Sequence, residues 1–137
     1  MQNNLAPICL FVYNRIEETK LTISALQANF LAYESDLIVF SDGYKDENDA
    51  NSVRIVRDFV KNISGFRSVK IIESFNNKGL AKSVIEGVSL VLEKSETIIV
   101  LEDDLITTPN FLDFMNQALS FYKDNKEVYS VNGYSPD

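Results

Sequence analysis

The stretch Thr97-Ile-Ile-Val-Leu-Glu-Asp-Asp-Leu105 decides how the rest of the sequence is read. Its first half has the composition of a strand buried on both faces, and it runs directly into three consecutive carboxylates. A carboxylate taken out of water without a partner is costly, so Glu102, Asp103 and Asp104 belong at the exposed end of that strand, facing something positive. Thr108 and Pro109 then read as the N-cap and first residue of a helix. The acidic triplet therefore occupies a short loop between a strand and a helix, which is where open α/β sheets bind ligands.

Three strand-then-helix units precede this one. Pro7-Ile-Cys-Leu-Phe-Val-Tyr13 is a buried strand ended by Asn14-Arg15, and Ile16, Ile23, Leu26 and Phe30 follow at helical spacing over residues 16–31. Leu37-Ile-Val-Phe40 is the second strand, ended by the turn signal Ser41-Asp42-Gly43. A polar loop over residues 44–51 leads to a helix with Val53, Val56, Val60 and Ile63 on one face, closed by Ser64-Gly65. Val69-Lys-Ile-Ile72 is the third strand, followed by Asn76-Asn77-Lys78-Gly79 and a helix carrying Leu80, Val84, Val88 and Val91. After the acidic strand, Phe111, Met115, Leu119 and Tyr122 mark a further helix, and residues 128–131 read as a last short strand. This alternation predicts a Rossmann-like three-layer α/β/α sandwich with a mostly parallel sheet.

Composition narrows the chemistry. A chain of 137 residues with 45% hydrophobic content builds one domain, or one half of a larger one. A formal charge of −7 argues against a bare nucleic-acid or anionic-membrane surface, and an anionic ligand needs a metal ion or local cations. No apolar run is long enough to span a bilayer, and Met1-Gln-Asn-Asn-Leu5 lacks the pattern of a leader, so the expected location is cytoplasmic. The single Cys9 sits in an apolar run and reads as a packed core thiol. The absence of histidine removes Ser-His and Cys-His nucleophiles, histidine bases and histidine zinc sites together.

Parallel strands point the same way, so their exits collect along one edge of the sheet. Asn14-Arg15, Asp42-Gly43, Asn76-Asn77-Lys78 and Glu102-Asp103-Asp104 therefore converge. Paired carboxylates in a loop suit a hard divalent cation that keeps positions for water and substrate phosphates. Such a cation neutralises charge on a departing phosphate group, and Arg15 or Lys78 could add a further cation to the same phosphates. Asp42 could accept hydrogen bonds from a nucleoside, or serve only as a turn residue before glycine.

Val12-Tyr-Asn-Arg15, Phe40-Ser-Asp-Gly43, Asn76-Asn-Lys-Gly79 and Val100-Leu-Glu-Asp-Asp104, in that order, resemble the N-terminal nucleotide-binding half of a GT-A glycosyltransferase of the glycosyltransferase family 2 and N-acetylglucosaminyltransferase I type. Glu102-Asp103-Asp104 stands in the place of the DXD motif. The resemblance implies a single nucleotide-sugar-binding GT-A domain over residues 1–137, cut before the acceptor-binding half. It further implies a metal-dependent transferase, inverting, that uses Mn2+ or Mg2+ to move a sugar from a nucleotide diphosphate sugar, UDP-sugar favoured, to a saccharide or other hydroxyl acceptor. The setting it suggests is surface polysaccharide or lipopolysaccharide synthesis, with room for peripheral membrane contact.

Residue by residue, the resemblance makes Asp104 the metal ligand, places Asp103 near the ribose, and gives Glu102 metal-bound water or the sugar. Asp42 would contact the nucleoside and Arg15, with Asn14 beside it, the donor phosphates. The family's catalytic base lies well beyond the DXD segment, and no residue here matches it; Asp137 is not a candidate. The chain is thus expected to hold a metal and a nucleotide sugar without completing transfer alone. Competing readings are a sugar nucleotidyltransferase, whose glycine-rich basic loop is missing after the first strand, and a receiver-type phosphoacceptor module, whose acidic pair should follow the first strand. A non-catalytic α/β nucleotide-binding domain is the plainest alternative. Acids that were scattered, tied up in internal ion pairs or far from Asp42 would undo the sugar-donor reading.

Overall fold

The computed structural model describes residues 5–133; the leader reading at the extreme N-terminus and Asp137 lie outside the described residues. Four strands alternate with helices: β1 (Ile8–Val12), α1 (Ile16–Gln27), β2 (Asp36–Ser41), α2 (Glu47–Val60), β3 (Ser68–Glu73), α3 (Leu80–Leu92), β4 (Ile99–Glu102) and α4 (Phe111–Tyr122). All pairings are parallel, in the order β3-β2-β1-β4, with Ile8 opposite both Leu37 and Ile99. The predicted sandwich is the observed one. All five residues of β1 are buried, as a central strand covered on both faces requires.

Two apolar layers flank the sheet. On one side Ile8, Leu10, Val39 and Leu101 pack against Ile23 and Leu26 of α1, Val56 and Val60 of α2, and Leu112 and Met115 of α4. Each fully buried aliphatic side chain there contributes about 2 kcal/mol. On the other side α3 alone covers Cys9, Phe11 and Phe40 through Val84, Val88 and Val91. Gly87 makes this fit: a Cβ there would lie 2.9 Å from the Phe11 ring, so only a residue without one lets α3 rest on the stacked Phe11–Phe40 pair. Burial raises the Cys9 thiol to about 12, consistent with a packed core position. That face is thinly covered beyond α3: Val100 is 40% exposed, and β4 pairs with β1 alone among the described strands.

Four local expectations are corrected. α1 stops at Gln27, and Phe30 lies 72% exposed beyond it. The cause is Asn29, whose amide donates to the Ala25 carbonyl and to Thr107 Oγ1 and so turns the chain toward α4. α4 begins at Phe111 rather than Pro109, because Thr108 and Pro109 form a turn closed by the Phe111 N–H on the Thr108 carbonyl. Its Leu112 N–H is satisfied by Asn29 Oδ1, a cap supplied from another element. Leu80, placed on the apolar stripe of α3, is 54% exposed in the cavity described below. Residues 128–131 form no strand: Val128 and Glu127 donate to Asn125 in a turn instead of entering a ladder.

Candidate functional site

Strand order runs outward from β1 to β3 with α1 and α2 on one face, and then returns across β1 to β4 through α3 on the other face, so the direction of the connections reverses between β1 and β4. The crevice at such a reversal is the preferred ligand site of open α/β sheets. A cavity of about 250 Å3 opens there. β1 contributes Phe11 to Val12 and the exit residues Tyr13, Asn14 and Arg15; β2 gives Phe40 and Asp42; β4 gives Glu102 and Asp103; Asn77, Gly79, Leu80 and Ser83 close it from the start of α3. The structure thus brings Asn14, Arg15, Asp42, Glu102 and Asp103 together, as the convergence of strand exits predicts.

Asp42 is 9% exposed and its carboxylate is fully engaged. Oδ1 accepts the backbone N–H groups of Gly43 and Lys78 at 2.9 Å, and Oδ2 accepts Gly79 N–H at 3.0 Å and Asn77 Nδ2 at 3.2 Å. Four donors fill the acceptor sites of a carboxylate. Gly79 enters α3 at φ +81°, a backbone position that suits glycine. Gly43 approaches the opposite loop so closely that a Cβ would fall 2.7 Å from the Asn76 carbonyl carbon. Arg57 of α2 ties the same region from below, donating to Ser41 Oγ and to the carbonyls of Ser41, Asp42 and Ser74. Asp42 is therefore first a clamp on the loop over residues 76–79, which favours the turn role weighed for it above.

The acidic turn is built differently. Asp103 is 4% exposed, and its carboxylate pairs with the Arg15 guanidinium, which also lies 3.6 Å from Asp104. Burial pushes the Asp103 carboxyl above the ordinary aspartate range, and the Arg15 hydrogen bond and charge pull it back. Thr22 Oγ1, fully buried on α1, donates to the Asp103 carbonyl at 2.7 Å and fixes the turn. Asp104 remains 43% exposed at the rim, and Glu102 has no ion-pair partner among the described residues.

These contacts show where two of the expected cations point. Arg15 faces the acids rather than an open phosphate position, so one of the conditions named against the sugar-donor reading is met in part: Asp103 is in an internal ion pair. Glu102 and Asp103 line the same cavity as Asp42, while Asp104 lies outside that lining, 3.6 Å from Arg15. Lys78 points away, its ammonium 2.5 Å from Glu86 in an adjoining depression of about 220 Å3. Only its backbone N–H serves the site.

Sequence reasoning passed over Lys45, Tyr13 and Arg57. Lys45 lies in the polar loop after β2 and lines the cavity. Tyr13 follows the last residue of β1, and its hydroxyl is buried without a hydrogen-bond partner among the described residues. The alternation of Val53, Val56 and Val60 placed Arg57 beside the buried stripe of α2, which was the available signal for it. No group of three or more acidic or thiol side chains is poised around one metal position among the described residues. An exposed Asp104 carboxylate with Glu102 nearby still fits a hard cation of the kind that takes one or two carboxylates and completes its shell with water and phosphates. No helix among the described residues is long and apolar enough to cross a membrane.

The family model described as "Glycosyl transferase family 2" matches residues 8–137. The crystal structure of S. aureus TarS superposes with a TM-score of 0.60 at 16% identity, covering 97% of this chain and 23% of that one. The present chain thus spans about a quarter of that protein, and the likeness shows the fold. No curated protein matches the chain.

Proposed function

Because the chain belongs to glycosyl transferase family 2, we propose that it binds a nucleotide diphosphate sugar, UDP-sugar favoured, for transfer to a saccharide or other hydroxyl acceptor. The observation that carries this reading is the cavity at the β1/β4 reversal, where Asp42, Glu102 and Asp103 meet an aromatic wall of Phe11, Tyr13 and Phe40. A nucleobase gains about 1–3 kcal/mol from an aromatic face, and Glu102, which has no ion-pair partner among the described residues, is open to a ligand hydroxyl or to the water of a hard cation. Asp104 would hold Mn2+ or Mg2+, with Glu102 on its water or on the sugar. When bound, that ion supplies charge that neutralises the departing diphosphate.

Within the chain, Arg15 neutralises Asp103 and holds the acidic turn in place. Asp42, saturated by four donors, shapes the floor under the nucleoside through residues 76–79. Both acids are engaged, so neither is suited to taking a proton from the acceptor in an inverting transfer. The proposed setting is cytoplasmic surface polysaccharide or lipopolysaccharide synthesis, with peripheral membrane contact allowed.

Calorimetric titration with UDP, GDP and ADP, each with and without Mn2+, tests the reading. UDP is expected to bind most tightly and to gain roughly tenfold from the metal, a change of about 1.4 kcal/mol. Asp104→Ala should abolish that gain and leave metal-free binding. Nucleotide binding indifferent to the metal would remove the cation from the proposal, and no binding at all would remove the donor.

A further inference from the structure

We propose that Lys45 is the cation that grips the diphosphate of the donor, a role that rests on the donor-binding reading above. Among the cations near the C-terminal rim of the sheet, Arg15, Arg57 and Lys78 are already committed. Arg57 donates to Ser41 Oγ and to the carbonyls of Ser41, Asp42 and Ser74, and lies 3.6 Å from Glu73. Lys78 is paired with Glu86 outside the cavity. Arg15 lies between Asp103 and Asp104. Lys45 lines the cavity, and its ammonium has no ion-pair or hydrogen-bond partner among the described residues.

Its position is set rather than loose. Asp49 Oδ2 accepts the Lys45 backbone N–H at 3.4 Å, while Asp49 Oδ1 accepts Asn14 Nδ2 at 2.7 Å. One carboxylate thereby pins the loop after β2 to the exit of β1, and the lysine stem starts where the cavity continues into an outer depression over Asn48 and Asp49. The cavity walls carry Asp42, Glu102 and Asp103, so a diphosphate entering it needs positive charge that Arg15 cannot give without abandoning a buried carboxylate. A flexible stem ending in a compact ammonium can reach a phosphate without that penalty. The start of α2 offers no substitute, since Asp46 already caps it and Glu47 and Asp49 lie in its first turn.

The test is calorimetry on the intact chain with three probes, UDP, uridine and inorganic pyrophosphate, at low and high salt. Lys45→Gln is expected to weaken UDP and pyrophosphate roughly tenfold, the usual scale for a lost charge-assisted hydrogen bond. It should leave uridine unchanged and flatten the salt dependence, and Lys45→Arg should restore most of the loss. Because the side chain is exposed and unpaired, the melting temperature should not move. Wild-type UDP binding that Lys45→Gln leaves intact, or uridine binding that falls equally, overturns the assignment of Lys45 alone. A wild-type chain that binds neither UDP nor pyrophosphate overturns the donor reading and this proposal together.

Discussion

Asp42 and Asp103 are both buried aspartates at the same rim of the sheet, 9% and 4% exposed, yet they are held in opposite ways. Asp42 is gripped by three backbone N–H groups and one side-chain amide, none of which carries charge and most of which cannot move without unmaking the loop. Asp103 is gripped by a single guanidinium that is 46% exposed and reaches Asp104 as well. A carboxylate bound by backbone belongs to the frame of the molecule. One bound by a single half-exposed side chain rests on a contact that can be removed without unmaking any backbone.

Substitutions should separate the two. Asp42→Ala orphans three backbone donors at once and takes one of its two acceptors from the Asn77 amide, and is expected to cost about 4 kcal/mol in urea unfolding, the largest effect here. A loss under about 1 kcal/mol would show that the loop stands without its clamp. Gly43→Ala forces a Cβ against the Asn76 carbonyl, 2.7 Å away, and should cost about 3 kcal/mol while leaving the Arg15 contacts alone. Arg15→Ala should cost less, about 2 kcal/mol near neutral pH, since its guanidinium is already partly in water; a cost equal to that of Asp42→Ala would erase the distinction drawn above.

The smallest effect is a pH slope. Burial raises the Asp103 carboxyl in the folded state, so the folded protein takes up its proton more readily than the unfolded chain does. The stability this contributes is present below the unfolded aspartate value near 3.9 and is lost as pH rises through the folded one. Asp103→Asn should remove that slope, and Arg15→Ala should steepen it and carry it to higher pH. Stability measured across the acid range checks both, and an unchanged profile in Asp103→Asn would mean that this carboxyl does not titrate differently on folding.

The frame was legible in the sequence because it is written in local periodicity. Apolar runs gave β1 and β2, the 53, 56 and 60 spacing gave α2, and parallel topology then brought the strand exits together without further information. What escaped depends on side chains meeting across long separations. Asn29 caps α4 from the far end of α1, which displaced the start read at Thr108 and Pro109 and turned Phe30 outward. Arg15 meets Asp103 across 88 residues, and spacing along the chain says nothing about whether that guanidinium faces a ligand or a neighbour. Residues 128–131 had strand composition, but a turn at Asn125 took the Val128 N–H.

The one-sided pairing of β4 bears on how the molecule behaves in company. With β1 along one flank and Val100 showing on the thinly covered face, the other flank of β4 meets no strand among the described residues, and such an edge is one that a foreign strand can zip onto. Mutual repulsion from a charge of −7 opposes such stacking, and salt weakens that repulsion. Concentrated, high-salt solutions of this chain should therefore be the ones that turn cloudy first.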